Sequence, residues 1–154
     1  MTRHPGGLRL TERAVRLAEL QSGAKILDVG CGDGDSAEFL RARGFAAVGI
    51  AENAENLPFA DAEFDCVMFE CVLSVVDDAP RALSEARRVL APNGKLIVSD
   101  VFAGDAGALR RSMEGAGFAV LHEEDHTPAL VTYAAERGFA AGKGHGYVLF
   151  VCRK

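Results

Sequence analysis

Apolar and polar positions along the chain alternate between two periods. Leu10, Ala14, Leu17 and Ala18 recur at helical spacing, so residues 10–20 read as an amphipathic helix with Thr11 as its expected N-cap. Apolar runs of strand length follow at Lys25–Val29, Ala46–Ile50, 64–69, 95–100, 118–123 and 146–153. Helical stretches lie between them at 35–43, 79–90, 106–116 and 129–137. Gly44, Pro80 in a first turn, and Pro92-Asn93-Gly94 punctuate the pattern. This alternation predicts an α/β fold, a three-layer α/β/α sandwich on a Rossmann-like, mainly parallel sheet. No repeat or linker interrupts residues 1–154, so a single domain is expected.

The most informative segment is Ile26-Leu27-Asp28-Val29-Gly30-Cys31-Gly32-Asp33-Gly34-Asp35, which places a glycine at every second position between a strand and a helix. Glycines there allow positive φ and close approach of backbone to a ligand, and the helix start offers unpaired N–H groups. The spacing departs from the dinucleotide fingerprint G-x-G-x-x-G/A, because the third glycine comes one position early and Asp35 follows it. Asp28, at the strand end, is an acid facing the ligand. A carboxylate suits a cationic amino group and repels a pyrophosphate. S-adenosylmethionine carries such an amino group and no phosphate, so the loop speaks against NAD.

These residues resemble motif I of the class I S-adenosylmethionine-dependent methyltransferases, and three further segments are similar to that family in the same order. They are Glu55-Asn56-Leu57-Pro58-Phe59-Ala60-Asp61 with Phe64-Asp65, then Glu70-Cys71-Val72-Leu73, then Arg87-Arg88-Val89-Leu90-Ala91-Pro92-Asn93-Gly94-Lys95-Leu96. The closest branch is that of small-molecule enzymes related to quinone biosynthesis. The resemblance implies a methyltransferase acting on a small molecule, about six strands, and a last strand inserted antiparallel beside 118–123. It implies S-adenosylmethionine as cofactor. Asp28, Gly30, Gly32 and Gly34 would surround its methionine part, with Cys31 and Asp33 offering backbone. Glu70 and Cys71 would approach from the end of the next strand. His126, Glu70 and Asp100 are candidate acid–base residues.

The chain also departs from the family pattern. A helix and a strand are expected between 50 and the Leu57-Pro58-Phe59 segment, yet a parallel crossover alone needs about a dozen residues. Both elements are therefore read as missing, which leaves 51–58 without a helix and Ala46–Ile50 at an exposed edge. Ala51 stands where the ribose-binding acid is expected, Glu52 is the nearest substitute, and Asn53 stands near the adenine. The segment that normally covers the substrate is reduced to 101–105. A non-catalytic cofactor-binding or interaction protein is thus the competing reading, and a working enzyme is expected to form a homodimer that shields its site.

Composition narrows the rest. With 49% apolar and 25% charged residues the chain is a folding sequence rather than a disordered one. A net charge of −5 argues against a general nucleic-acid partner. The apolar runs are too short to span a membrane, and residues 1–10 lack a secretory h-region, so the cytoplasm is the expected compartment. Cys31, Cys66, Cys71 and Cys152 form no C-x-x-C pair; the last three read as core residues and no metal is expected. His122-Glu123-Glu124-Asp125-His126 matches H-E-x-x-H literally, but it falls on strand pattern, where residues four apart do not form a zinc-binding helix face. His4-Pro5-Gly6-Gly7 is read as a frayed terminus, or as a cover over the loop.

Overall fold

Strand β1 (Lys25–Val29) lies inside a sheet, with β2 (Ala46–Ile50) on one side and β3 (Phe64–Glu70) on the other, parallel to both. The structure is a computed structural model and describes residues 3–51 and 53–154. Beyond β3 run β4 (Leu90–Ala103), β6 (His145–Arg153) and β5 (Ala119–Asp125), giving six strands in the order β2-β1-β3-β4-β6-β5. β4 is parallel to β3, and β6 is antiparallel to both of its neighbours. The expected sheet, including the inserted last strand, is the one observed.

Period-2 alternation divides the core into two layers. Leu27, Val67, Phe69, Val98 and Phe150 pack beneath α3 (Ala79–Val89) and α4 (Gly107–Gly115). Ile26, Cys66, Met68, Ile97 and Tyr147 pack on the opposite face with α1 (Gly7–Leu17), α2 (Asp35–Ala42) and α5 (Thr127–Glu136). β6 is buried continuously from Gly146 to Cys152, as a strand covered on both faces must be. β2 buries only Ala47 and forms the predicted edge. Cys66 and Cys152 are core residues, and all four thiols are free.

Helix α1 starts earlier than its pattern indicates. Gly6 and Gly7 both take positive φ and open the helix at Gly7, without a side-chain cap. Thr11 is therefore a buried interior residue, and its hydroxyl donates to Glu70 Oε2 at 2.7 Å instead of capping the helix. Its best acceptor lies 59 positions away, beyond the reach of a capping rule.

Between β2 and β3, no described residue of 51–63 is helical or extended into the sheet. The stretch is held instead by the polar face of α3. Arg88 donates to Leu57 O (3.0 Å), Phe59 O (2.9 Å) and Asp61 (2.8 Å), while Glu85 accepts from the Leu57 N–H at 2.8 Å. Arg88 is thus a structural clamp between α3 and this stretch. Residues 122–126 form the end of β5 and its exit, not a helix, and no metal-binding cluster occurs among the described residues.

Candidate functional site

Strand parity brings two acids together. Asp28 follows Ile26 on the α1/α2/α5 face of β1, and Glu70 follows Met68 on the same face of β3. Above their strand ends the chain turns through Gly30, Gly32 and Gly34, all at positive φ (73°, 53° and 85°), and enters α2 with Gly34 as N-cap. The turn is tied to β2, since the Gly30 and Cys31 N–H groups both donate to Ile50 O, at 2.7 and 3.2 Å. Gly49 has a reason of its own: a Cβ there would meet Cys31 Sγ at 3.0 Å.

The loop borders a cavity of about 70 Å³ lined by Asp28, Gly30, Cys31, Gly32, Asp33, Asp35, Ser36 and Glu70, and closed by Arg3 and His4. Four carboxylates on so small a wall favour a cationic guest. Asp28 is 1% exposed, and its Oδ2 has no hydrogen-bond partner. Burial, then the neighbouring charge of Glu70, raises its pKa to about 7. Glu70 is held firmly, accepting from Thr11 and from Ser36 Oγ (2.8 Å), with His4 Nε2 at 3.3 Å.

The residues singled out from sequence divide into two groups. Asp28, Gly30, Cys31, Gly32, Asp33 and Glu70 line the cavity, and Gly34 sets the start of α2. The Cys31 N–H is not open to a ligand, being bonded to Ile50, and burial pushes its thiol pKa upward, so it is no ready nucleophile. Asp33 offers its carboxylate to Arg3 at 2.9 Å. Cys71 lies outside the cavity: at φ 58° it turns its sulfur to Tyr147 OH, 3.3 Å away. Asn53, at φ 66°, is exposed and also outside it, and Glu52 lies outside the described residues. Asp100 belongs to the other face, where it accepts from Ser74 N and Val101 N. His126 pairs with Glu124 (3.1 Å), which also binds Arg13.

Sequence reasoning passed over Arg3 and Ser36, and left His4 between a frayed terminus and a cover over the loop. His4 is only 7% exposed and packs over Glu70, while Tyr133 OH donates to Arg3 O at 2.6 Å. Residues 3–6 are therefore a cover rather than a frayed end. A polar segment rich in glycine carries no apolar signal of that docking.

The loop glycines should respond differently to substitution. A Cβ on Gly30 would sit 2.7 Å from Val72 Cγ2, whereas one on Gly32 meets only the flexible Arg3 Cδ, at 3.5 Å. Gly30→Ala should cost about 2–3 kcal/mol through strain and clash. Gly32→Ala should cost only about 1 kcal/mol for its left-handed φ, while narrowing the cavity mouth. Urea unfolding of the two variants checks the order, and equal losses would contradict it.

Comparison with known proteins places this geometry. A family model described as a methyltransferase domain matches residues 7–127. The chain is 33% identical to an uncharacterized methyltransferase, YodH, of Bacillus subtilis over 83% of its length and 66% of that protein's. It is also 33% identical to the ubiquinone/menaquinone biosynthesis C-methyltransferase UbiE of Methylococcus capsulatus, over 73% of this chain and 58% of the relative. The chain thus spans less than two thirds of either relative. Among solved structures, phosphoethanolamine N-methyltransferase 2 of Haemonchus contortus, crystallised with S-adenosylhomocysteine, superposes with a TM-score of 0.83. That likeness, at 16% identity over 98% of this chain and 53% of the other, is one of fold. The match over residues 7–127, on a sheet of this order with its glycine loop after β1, identifies the chain as a member of the methyltransferase domain family.

Proposed function

We propose that the chain binds S-adenosylmethionine at the glycine loop and transfers its methyl group to a small-molecule acceptor, acting as one domain over residues 1–154 in the cytoplasm. The observation that carries this reading is the unpartnered, buried Oδ2 of Asp28 in a cavity walled by acids. Such an atom calls for a donor from a ligand, and an ammonium group answers both the missing bond and the charge. Asp28 would hold the cofactor's amino group, with the backbone at Gly30, Gly32 and Gly34 packed against its methionine part. Glu52 and Asn53 are the nearest candidates for the nucleoside. When bound, the cofactor supplies a methyl group on a sulfonium whose electron pair leaves with sulfur. The protein's part is to align the acceptor and exclude water.

The cavity is smaller than the roughly 300–1,000 Å³ of ordinary ligand sites. Parting Arg3 from Asp33 widens it, and both side chains are well exposed, so the pair resists little. Calorimetric titration with S-adenosylmethionine and S-adenosylhomocysteine tests the reading. Saturable binding lost in Asp28→Ala is expected, and an absence of binding overturns the proposal. Binding without turnover on any acceptor would return the non-catalytic alternative. Names of relatives such as the quinone C-methyltransferase support a small acceptor, as does a net charge of −5 that disfavours nucleic acid.

The open edge at β2 and the short covering segment after β4 make a homodimer part of the proposal. Methyl transfer should then rise more steeply than linearly with protein concentration, in step with dimer formation by sedimentation. A monomer with concentration-independent turnover removes this element.

A further inference from the structure

Two cavities meet at His4. One is the acidic glycine-loop cavity; the other, about 580 Å³, lies between the start of α1 and α5. His4, Arg9, Tyr133, Glu136 and Arg137 are polar members of its wall. Its volume is that of a small-molecule site. Its charge is opposite to that of its neighbour, with two arginines against Glu136.

Arg9 stands out on α1. Arg13 is paired with Glu124, and Arg16 lies 3.9 Å from Glu12. Arg9 is exposed and has no hydrogen-bond or ion-pair partner among the described residues. The Arg137 guanidinium lies 3.6 Å from the centre of the Tyr133 ring, a rigid platform for a planar group. The first turn of α1 has no side-chain cap, so its partial positive charge adds to that of the arginines. At the inner end, His4 is 7% exposed and its Nε2 makes no hydrogen bond, although Glu70 Oε2 is 3.3 Å away.

We infer that this cavity is the acceptor site and that the acceptor is a small acid, bearing a carboxylate or phosphate held by Arg9 and Arg137. The inference rests on the methyltransferase reading for the word acceptor; the anion site stands on the cavity itself. The anionic end lies toward α5, and the opposite end of the molecule is directed past His4 to the glycine loop. Acidic walls for a cationic cofactor and basic walls for an anionic acceptor keep each ligand out of the other's place.

The test uses the full chain, saturated with S-adenosylhomocysteine, and three probes: benzoate, phenyl phosphate and the neutral benzamide. By calorimetry, at least one acid should bind about tenfold more tightly than benzamide. Arg9→Gln should abolish that preference, while Arg16→Gln, the same charge change on the same helix, should leave it intact. No preference for an acid, or equal losses in the two variants, overturns the anion site. If S-adenosylhomocysteine does not bind, the methyltransferase reading fails separately. The same probes titrated into the chain alone then decide the anion site by the same criteria.

Discussion

Asp28→Asn should leave a protein that is more stable than the parent near neutral pH and that binds S-adenosylhomocysteine much more weakly. Asp28 is 1% exposed, and its pKa is raised from 3.8 to about 7, first by burial and then by Glu70. An acid with a raised pKa in the fold favours the native state when neutral. Its penalty is absent below about pH 4, grows between about 4 and 7 as the unfolded chain releases the proton that the folded one keeps, and is constant above. That difference is worth roughly 4 kcal/mol at full ionisation. The parent's unfolding free energy should therefore fall across this window, and the asparagine variant should lack that component. Ligand binding has the opposite sign. An ammonium group needs the ionised carboxylate, so affinity should rise from about pH 6 to about pH 8, with proton release below pH 7. Losing a charge-assisted hydrogen bond should weaken binding about 10- to 100-fold. Urea titrations across pH and calorimetry in two buffers measure both halves. Identical pH profiles for parent and variant would remove Asp28 from the site.

Arg88→Met should lower stability by about 2–3 kcal/mol while keeping the side chain's apolar stem. Arg88 is one-third exposed and its partner Asp61 four-fifths, so that ion pair contributes little. The cost comes from Leu57 O, Phe59 O and Glu85, which lose their donor together. Lysine should not rescue, because a single ammonium cannot reproduce the planar fork. A fall of less than about 0.5 kcal/mol in chemical denaturation would mean that the 51–63 stretch is held by its buried Ala54 and Leu57 alone.

Much of this is legible in the amino-acid sequence. Lys25–Val29, the spaced glycines and the absent helix after Ile50 mark the loop, the candidate-site end of the sheet and its shortened edge, because each depends on neighbours a few residues apart. The losses have a different origin. Thr11 and His4 find their common partner in Glu70, which is 59 positions along the chain from Thr11. Cys71 faces Tyr147 because its backbone is left-handed, a state its residue type does not announce. Asp100 falls on the far face because Ile97–Asp100 is buried on both sides, which hides strand parity in the sequence.

The place of β6 also bears on how the polypeptide is made. β5 pairs with β6, which follows it in the chain and separates it from β4. During synthesis, β4, α4 and β5 leave the ribosome as a unit that can close by a parallel crossover, setting β5 directly on β4 in the slot that β6 must fill. The sequence of β5 weakens that trap. Its end, His122-Glu123-Glu124-Asp125, remains accessible to water in the finished protein and gains nothing from an interior position. β6, with Gly146–Cys152 buried throughout, gains a great deal there. The burial pattern thus favours β6 in the inner position and β5, with its acidic end, at the rim.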